Sequence, residues 1–398
     1  MKTYKNLFDK LIDHENIYNA IINASRSKRD RPDVKKVLKK INFYIYRLQD
    51  LITQKRLKFR KHTAVLINDG IKLKPRVIVK PDFIYEQILH HALVQVLKPI
   101  FMKSMYIWSC GSLPKRGGLY GKRYLAKYIK HHQSKIKYCF KCDIKHFFQS
   151  VDTEVVKKML ARRIRDKSFL QVLFLVLDSN IAIYEDEDIY MGLPIGWYIA
   201  QWLANWILTE TDYKIKQKLK IKCYVRYVDD LVLLSPNKKE LHKARSEIQN
   251  YLQELHLKLK SNYQVFRFTY IAKDGKEKGR CIDYMGYKFY RNRTVLRKTI
   301  ILKATRKALK MSKSNKLNWY ECTQIVSYLG WFKHANVYMI YAKYIQPKVN
   351  IGECKKVISL HSYRERKKQN VIELENSREF RKTAWSWLYF VKRLCLLS

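Results

Sequence analysis

The sequence predicts an α+β fold, and three observations carry this prediction. Two apolar runs, 137–144 and 223–234, are rich in the β-branched and aromatic residues that favour buried strands. Apolar side chains recur at helical spacing over 34–52 and 241–257. The chain has 398 residues, of which 47% are hydrophobic, so it can bury a large core divided over two or three subdomains.

The charge of the chain predicts a polyanionic partner. Lysine and arginine total 81 against 34 acidic residues, a formal net charge of +47. Such a charge destabilises a compact state through self-repulsion unless a polyanion neutralises it. We expect nucleic acid, bound with steep salt dependence, and an anionic membrane is the alternative. Because no apolar run approaches roughly 18–20 residues and no secretory signal opens the chain, we expect a cytoplasmic protein without a membrane partner.

Three aspartates stand at the ends of predicted strands. Asp229 and Asp230 lie between two apolar runs, which predicts a hairpin with both acids at its tip. A tight turn interrupts the alternation of side chains between sheet faces, so both carboxylates can reach one site. Asp143 follows the strand that begins at residue 137. Together these carboxylates predict a site for two Mg²⁺ ions, about 3.5–4 Å apart, that clamp an in-line phosphoryl displacement.

Three ordered segments resemble motifs of the reverse transcriptase family. Tyr227-Val228-Asp229-Asp230 is similar to the Y-x-D-D box, and Asp143 with Phe148 five residues later is similar to the first catalytic motif. Segment 192–201, Gly-Leu-Pro-Ile-Gly-Trp-Tyr-Ile-Ala-Gln, is similar to the motif between them. The resemblance covers roughly residues 70–300. It implies a right-hand polymerase with fingers, a palm of antiparallel sheet plus helices, and a helical thumb.

The same resemblance implies a division of the chain into three subdomains, and it implies one reaction. Residues 1–136 would form a helical extension and the fingers, 137–298 the palm, and 299–398 a helical thumb with an apolar tail. RNA-directed DNA synthesis is the implied activity: a primer 3′-hydroxyl attacks the α-phosphate of a dNTP with two Mg²⁺ bound, and Mn²⁺ is a substitute. The implied catalytic residues are Asp143, Asp229 and Asp230, and Ile144 joins them in the implied metal site.

Residues for the incoming nucleotide follow from the resemblance. In the family a fingers strand carries a cation that grips the triphosphate, and a basic strand stands at the corresponding place here. We prefer Arg76, because a guanidinium binds phosphate bidentately, over Lys74 and Lys80. Phe148 would pack on the sugar and exclude a 2′-hydroxyl, which implies selection of dNTP over NTP. Gln201, at the end of the middle motif, is assigned to the same site.

Further residues are expected to hold the template, the primer and the leaving group. The loop 109–123 combines glycines, which allow close approach of a backbone, with several cations. The predicted template and primer contacts are Lys115, Arg116, Gly117, Tyr227, Gly286 and Arg297. Lys260, which follows the amphipathic helix, is the candidate general acid that protonates departing pyrophosphate.

The sequence also narrows the biological class. The middle motif differs from the Gln-Gly-Ser-Pro form of group II intron enzymes, and the Val-Thr-Gly triplet of retron enzymes is absent. Two bacterial types remain: antiphage defence enzymes, which copy a dedicated structured non-coding RNA, and enzymes of diversity-generating retroelements. We favour defence, with a cDNA product, and a non-catalytic RNA-binding scaffold is the alternative of another class. The apolar segment 385–397 is expected to pack on the thumb or to contact a second copy or an accessory protein.

Overall fold

Helices and sheets are mixed in this chain, which confirms the predicted α+β class. The computed structural model describes residues 3–69, 74–184, 187–190, 192–314, 316–364 and 367, so the segment 385–397 lies outside the described residues. The chain divides into two compact units, Met1–Cys281 and Ile282–Ser398. The finer division at residues 136 and 298 into fingers, palm and thumb stays a prediction.

The helices lie mainly in the first unit. Its helices are α1 (Phe8–Ile12), α2 (His14–Ser25), α3 (Pro32–Lys39), α4 (Ile41–Thr53), α5 (Ile88–Ser104), α6 (Gly118–His131), α7 (Phe147–Ser150), α8 (Thr153–Arg163), α9 (Lys167–Asp178), α10 (Tyr198–Ile207), α11 (Thr209–Tyr213) and α12 (Lys238–Gln253). In the second unit follow α13 (Lys298–Ser312), α14 (Trp319–Phe332), α15 (Tyr338–Tyr344) and the helical residues 351–364. Within the described part of the chain, no helix has both the length and the apolar character that crossing a bilayer requires.

The strands are short, and most lie in the first unit. They are β1 (His62–Asp69), β2 (Lys74–Lys80), β3 (Ser109–Cys110), β4 (Tyr138–Asp143), β5 (Ile181–Tyr184), β6 (Glu187–Tyr190), β7 (Cys223–Tyr227), β8 (Asp230–Ser235), β9 (Gln264–Arg267), β10 (Tyr270–Ile271) and β11 (Glu277–Lys278). In the second unit β12 (Ile282–Tyr284), β13 (Tyr287–Phe289) and β14 (Thr294–Leu296) form an antiparallel sheet.

A five-stranded sheet in the order β3-β7-β8-β4-β9 carries the predicted acids. Its pairs are antiparallel except for β3 with β7. Residues 231–234 of β8 are buried, as the continuous apolar run predicts for a strand covered on both faces. On one side α6 packs against β7, and α12 packs against β4 and β8. Rigid packing around the central strands fixes the backbone that presents the acids.

A second sheet, in the order β2-β1-β5-β6, contains the predicted triphosphate-binding strand. Strands β1 and β2 form an antiparallel pair along their whole length, with Arg76 opposite Ile67. Helix α5 is largely apolar, and it packs against α2 and α10 at the centre of the first unit. These contacts place the N-terminal helices and the middle motif around one shared core.

Caps explain where several helices begin. Asp152 precedes α8, and its carboxylate accepts hydrogen bonds from the amides of Glu154 (2.8 Å) and Val155 (3.4 Å). Asp166 does the same for α9 through the amide of Phe169 at 3.1 Å. Both aspartates therefore have a structural role at the start of a helix.

Candidate active site

The three predicted aspartates lie together on the five-stranded sheet. Strands β4 and β8 pair antiparallel with Asp143 directly opposite Asp230, and such partners point to one face with Cα atoms about 4.5–5.5 Å apart. The amide of Ile144 donates to the carbonyl oxygen of Asp229 over 3.2 Å, which holds the hairpin loop beside the end of β4. Asp229 lies in the loop, whereas Asp230 is the first residue of β8 rather than part of the tip.

The hairpin between β7 and β8 has a strained two-residue loop. Tyr227 pairs with Asp230, so Val228 and Asp229 form the turn. Val228 has a φ of 56°, a left-handed conformation that is unfavourable for a β-branched side chain. Its amide donates to the carbonyl oxygen of Cys110 on β3 over 2.9 Å. The turn is therefore held in place from the neighbouring strand.

A buried guanidinium supports the same turn from behind. Arg226 is completely buried, and its Nη1 donates to the carbonyl oxygen of Val228 over 2.8 Å. Its Nε and Nη2 donate to the two carboxylate oxygens of Asp212 at 2.9 and 2.6 Å. Asn205 and the hydroxyl of Tyr224 join this network. The network ties the turn at Val228 and Asp229 to α10 and α11 through buried hydrogen bonds.

Two lysines contact the carboxylates. The Nζ of Lys260 lies 2.6 Å from Oδ2 of Asp143, and both side chains are a little over one-third exposed. The amide of Lys260 also donates to the carbonyl oxygen of Asp143 over 2.8 Å. On the other side, the Nζ of Lys141 lies 3.8 Å from Oδ2 of Asp230. The predicted general acid thus contacts a predicted catalytic carboxylate.

A small polar cavity lies beside these acids on the same sheet. It has a volume of about 180 Å³ and is lined by Lys141, Cys142, Asp143, Asp230, Asn262 and Gln264. Gln264 on β9 is the direct cross-strand partner of Lys141 on β4. The cavity offers space for a small polar group next to the carboxylates.

The electrostatics of the site disfavour three ionised acids. Burial, the negative charge of Asp143 and a hydrogen bond that the protonated carboxyl makes with Asp143 raise the pKa of Asp229 to about 7. A buried oxygen of Asp143, Oδ1, accepts no hydrogen bond from the described residues. A bound cation would give Oδ1 of Asp143 a partner, and it would favour the ionised form of Asp229.

The donor atoms at the candidate metal site are carboxylate and carbonyl oxygens. The oxygen-only donor set is the one that Mg²⁺ prefers. An isoleucine could add only its carbonyl oxygen, so Ile144 is a backbone candidate. In the described part of the chain, however, no three acidic, histidine or cysteine side chains already converge on one point as metal ligands do. The donor chemistry fits, and Lys260 and Lys141 occupy positions on the carboxylates that a cation would compete for.

Phe148 connects the first motif with the middle motif. Its side chain is half-buried in α7, and its ring meets the ring of Phe147 edge-on at 5.7 Å. The carbonyl oxygen of Phe148 accepts a hydrogen bond from the amide of Leu193 over 2.7 Å. A Cβ on Gly192 would lie 2.6–2.7 Å from three carbonyl oxygens of residues 148–151. This position therefore requires glycine, and the two motifs approach through their backbones.

The predicted triphosphate strand contacts the middle motif as well. The amide of Val79 donates to the carbonyl oxygen of Ile195 over 2.8 Å. Side-chain alternation places Arg76 and Lys80 on one face of β2. Arg76 and Lys80 are exposed, and the side chain of Lys74 lies outside the described part. Their contact with a triphosphate stays a prediction.

The loop 109–123 packs on the hairpin between β7 and β8 and on the middle motif. The ring of Tyr227, 37% exposed, would lie 3.3 Å from a Cβ on Gly111. Gln201 accepts a hydrogen bond from the hydroxyl of Ser112 over 3.0 Å. Arg116 uses Nη1 to donate to the carbonyl oxygen of Tyr106 over 3.1 Å, so part of its role is structural. Exposed Lys115, with a φ of 60°, and Gly117, before α6, stay predicted template contacts.

Two predicted primer contacts belong to the second unit. Gly286 has a φ of 84° in the turn between β12 and β13, and a Cβ there would lie 2.7 Å from the ring of Trp331. Arg297 is the N-cap residue before α13. Its amide donates to the carbonyl oxygen of Gly286 over 3.0 Å, and its guanidinium pairs with Asp283. Local contacts alone therefore explain why glycine and arginine occupy these two positions. Primer binding by them stays a prediction.

Sequence analysis missed the residues that support the acids. Arg226 and Lys141 were not among the predicted site residues, although each carries a charge inside an apolar strand. A charged residue in a buried run requires a partner. Helix packing identifies Asp212 as the partner of Arg226, and the pairing of β4 with β8 identifies Asp230 as the partner of Lys141.

The chain is similar to known proteins in sequence and in structure. The family model described as reverse transcriptase (RNA-dependent DNA polymerase) matches residues 60–289. The retron Ec73 reverse transcriptase of Escherichia coli is 32% identical over 118 residues, covering 26% of this chain and 34% of that protein. The chain thus spans about a third of the length of this curated relative. Apo telomerase from Candida tropicalis is similar in structure with a TM-score of 0.45 and 14% identity, over 59% of this chain and 48% of that chain.

Proposed function

Because the chain belongs to the reverse transcriptase family, we propose that it synthesises DNA on an RNA template at the site formed by Asp143, Asp229 and Asp230. The observation that carries the proposal is the cross-strand pairing of Asp143 with Asp230, with Asp229 held beside the end of β4 by the amide of Ile144. Carboxylates separated by more than 80 residues of sequence converge, which a solvated turn does not explain.

The residues of this chain have distinct parts in the proposed reaction. The three aspartates would hold two Mg²⁺, with Mn²⁺ as a substitute, and those ions would activate the primer hydroxyl and neutralise phosphate charge. Asp229 must lose its proton to take part, because its carboxyl is neutral below about pH 7. Lys260, whose Nζ lies 2.6 Å from Oδ2 of Asp143, would give a proton to the leaving pyrophosphate.

Nucleotide selection is the proposed task of the neighbouring residues. Phe148 would contact the sugar and exclude a 2′-hydroxyl, and Gln201 would support the same pocket. Arg76, together with Lys74 and Lys80, would bind the triphosphate. This division of tasks follows the expectation for phosphoryl transfer, in which positioning and charge neutralisation supply most of the catalysis.

The proposed template is a dedicated structured non-coding RNA, copied in an antiphage defence system. The net charge of +47 supports a permanently bound RNA, and the similarity to a retron enzyme supports a bacterial retroelement. The same similarity makes a retron enzyme a further candidate class, although the Val-Thr-Gly triplet is absent. A diversity-generating retroelement is the alternative, and sequencing the RNA and DNA that copurify with the protein separates these types.

Primer extension tests the enzymatic proposal. The full chain, with a primed RNA template, dNTPs and Mg²⁺, should extend the primer, and Asp229→Asn with Asp230→Asn should reduce extension by more than about 10³-fold. Asp274→Asn, in an exposed loop, is the matched control and should leave extension unchanged. A wild-type protein that binds RNA but extends no primer with either Mg²⁺ or Mn²⁺ would instead support the RNA-binding scaffold.

A further inference from the structure

The N-terminal helices carry an exposed aromatic surface that the catalytic site does not use. It consists of His14 and Tyr18 on α2 and Phe43 and Tyr46 on α4, and we call it the α2–α4 aromatic face. Tyr18, Phe43 and Tyr46 are 42%, 58% and 63% exposed. The rings of His14 and Tyr46 lie 5.9 Å apart at an angle of 54°.

Helix geometry shows that these rings are not part of the core. On α4 the buried side chains are Tyr44, Ile45, Leu48 and Ile52, and the helix packs against α1, α2 and α3. Phe43 and Tyr46 are three positions apart on the other side, so their rings are neighbours along the outer surface. Large aromatic groups in this arrangement form a contact surface rather than a set of isolated exposed residues.

The segment that contains α3 and α4 is strongly positive. Residues 26–61 contain fourteen lysines and arginines but only three aspartates and no glutamate. One of the three, Asp50, is already paired with Arg47 at 3.6 Å and Arg56 at 3.3 Å. In contrast, the exposed residues Lys36, Lys39 and Lys40, which lead into α4, make no ion pair with any described residue. The acids near His14, Asp13 and Glu15, offset only a small part of this charge.

We propose that the α2–α4 aromatic face binds single-stranded RNA, with bases stacked on Phe43 and Tyr46 and phosphates along the lysines of α3. Aromatic rings stack on base faces, and these faces are accessible only in unpaired nucleotides. Lysines without acidic partners bind the backbone through counterion release. A protein partner fits less well, because lysine is depleted from the cores of protein interfaces. The inference extends the proposed function, since the RNA is the same molecule held at a second site.

Binding of a short unstructured RNA to the full chain tests the proposal. The RNA carries 2-aminopurine, whose fluorescence falls when the base stacks on an aromatic ring. We expect Phe43→Ala with Tyr46→Ala to weaken binding by about tenfold or more and to remove part of the fluorescence change. The matched control is Tyr213→Ala, because Tyr213 is also 63% exposed in the first unit and lies outside the proposed face.

Salt dependence separates stacking from charge. The aromatic variant should keep the slope of log K against log salt, because it removes no cation. Substitution of Lys36, Lys39 and Lys40 by glutamine should lower the magnitude of that slope by about 2. A fully paired RNA of the same sequence should bind the wild type and the aromatic variant equally.

Two results would overturn the inference. One is equal affinity of the wild type and the aromatic variant for single-stranded RNA. The other is a wild-type dimer, in the absence of RNA, that the aromatic variant converts to a monomer, since the face would then bind a second copy. The catalytic proposal fails separately: Asp229→Asn with Asp230→Asn should retain this binding, and the aromatic variant should still extend a short preannealed template.

Discussion

Nη1 of Arg226 donates a hydrogen bond to the carbonyl oxygen of Val228 over 2.8 Å, inside the fully buried part of the catalytic hairpin. Val228 has the left-handed φ of 56° and precedes Asp229 directly. The strained turn therefore persists because a buried donor fixes its carbonyl group. Arg226 acts through the turn and is a positioning residue, since it contacts no reacting group itself.

The first prediction concerns this bond. Arg226→Lys keeps a cation near Asp212 but cannot reach Asp212 and Val228 together, because lysine lacks the planar fork of donors. We expect kcat for primer extension to fall by about tenfold or more, while KM for dNTP changes little. Steady-state kinetics of the purified variant, corrected for the folded fraction by circular dichroism, measure this split.

Tyr224→Phe is the control for this prediction. It removes the 2.6 Å hydrogen bond from the tyrosine hydroxyl to Asp212 but leaves the contact with Val228. The free energy of unfolding should fall by about 1 kcal/mol, with kcat unchanged. Equal losses of kcat in both variants would mean that the bond from Arg226 to Val228 is not the contact on which kcat depends.

The sequence predicted the acids but not their support. An aspartate at the end of an apolar strand and two in a predicted turn are local signals, so Asp143, Asp229 and Asp230 could be found from motif and spacing. The partners of Arg226 lie on α10 and α11, and helix packing decides them. Similarly, Lys141 reaches Asp230 only through the register of β4 and β8. Tertiary pairing of this kind leaves no periodic pattern in the sequence.

Element boundaries show the same limit. The helical segment 83–104 is divided into a π-helical turn, Phe83–Gln87, and α5, which begins at Ile88. Asp230 was predicted at the hairpin tip and is the first residue of β8, because the loop has only two residues. A two-residue loop matches the twist of the flanking strands only if at least one of its residues has a positive φ. Valine rarely adopts such a φ, so the sequence did not indicate that Val228 would do so.

The second prediction is a dependence of stability on pH. Asp229 has a folded-state pKa raised from 3.8 to about 7 by burial and by the charge of Asp143. Between these values the folded protein keeps a proton that the unfolded chain releases, so the free energy of unfolding falls as pH rises through this window. Without divalent metal, Asp229→Asn should be more stable than the wild type at pH 8 by roughly 2–4 kcal/mol, and about equally stable near pH 4.

Denaturant unfolding in the presence of a chelator, at pH 4 and pH 8, measures this difference. Asp274→Asn is the control, because its exposed carboxyl has a lowered pKa and its removal should give no gain as pH rises. Adding Mg²⁺ should raise the melting temperature of the wild type at pH 8 more than that of Asp229→Asn. A wild type whose stability rises steadily from pH 4 to pH 8 would contradict the raised pKa.

The third prediction concerns the contact between two motifs. Gly192→Ala places a Cβ 2.6–2.7 Å from carbonyl oxygens of residues 148–151, so the backbone must move. We expect the free energy of unfolding to fall by about 1–3 kcal/mol, and dNTP incorporation to fall because Phe148 shifts. Gly330→Ala is the control, and it should raise the free energy of unfolding. Gly330 lies on helix α14, where an added Cβ meets no atom within 4 Å and alanine favours the helix. Thermal unfolding of the three proteins gives the comparison.

The fourth prediction tests Lys260 as a general acid. Removal of its ammonium in Lys260→Met should lower kcat by about 10²-fold and abolish most of the solvent deuterium isotope effect on single-nucleotide incorporation. Lys258→Met, on the exposed side of the same segment, should retain both the rate and the isotope effect. An unchanged isotope effect with a weaker Mg²⁺ requirement would indicate instead that Lys260 only competes with cations for Asp143.

The last prediction concerns sugar selection by Phe148. Its ring is half-buried against Phe147, and its backbone is bonded to Leu193 of the middle motif, so its position is fixed from two sides. Phe148→Ala should open space for a 2′-hydroxyl and raise the ratio of rNTP to dNTP incorporation by about 10²-fold. Phe148→Tyr keeps the ring and should retain selection for dNTP. Competition between one dNTP and its rNTP in a single-turnover extension assay measures the ratio, and an unchanged ratio in Phe148→Ala would show that another group performs the selection.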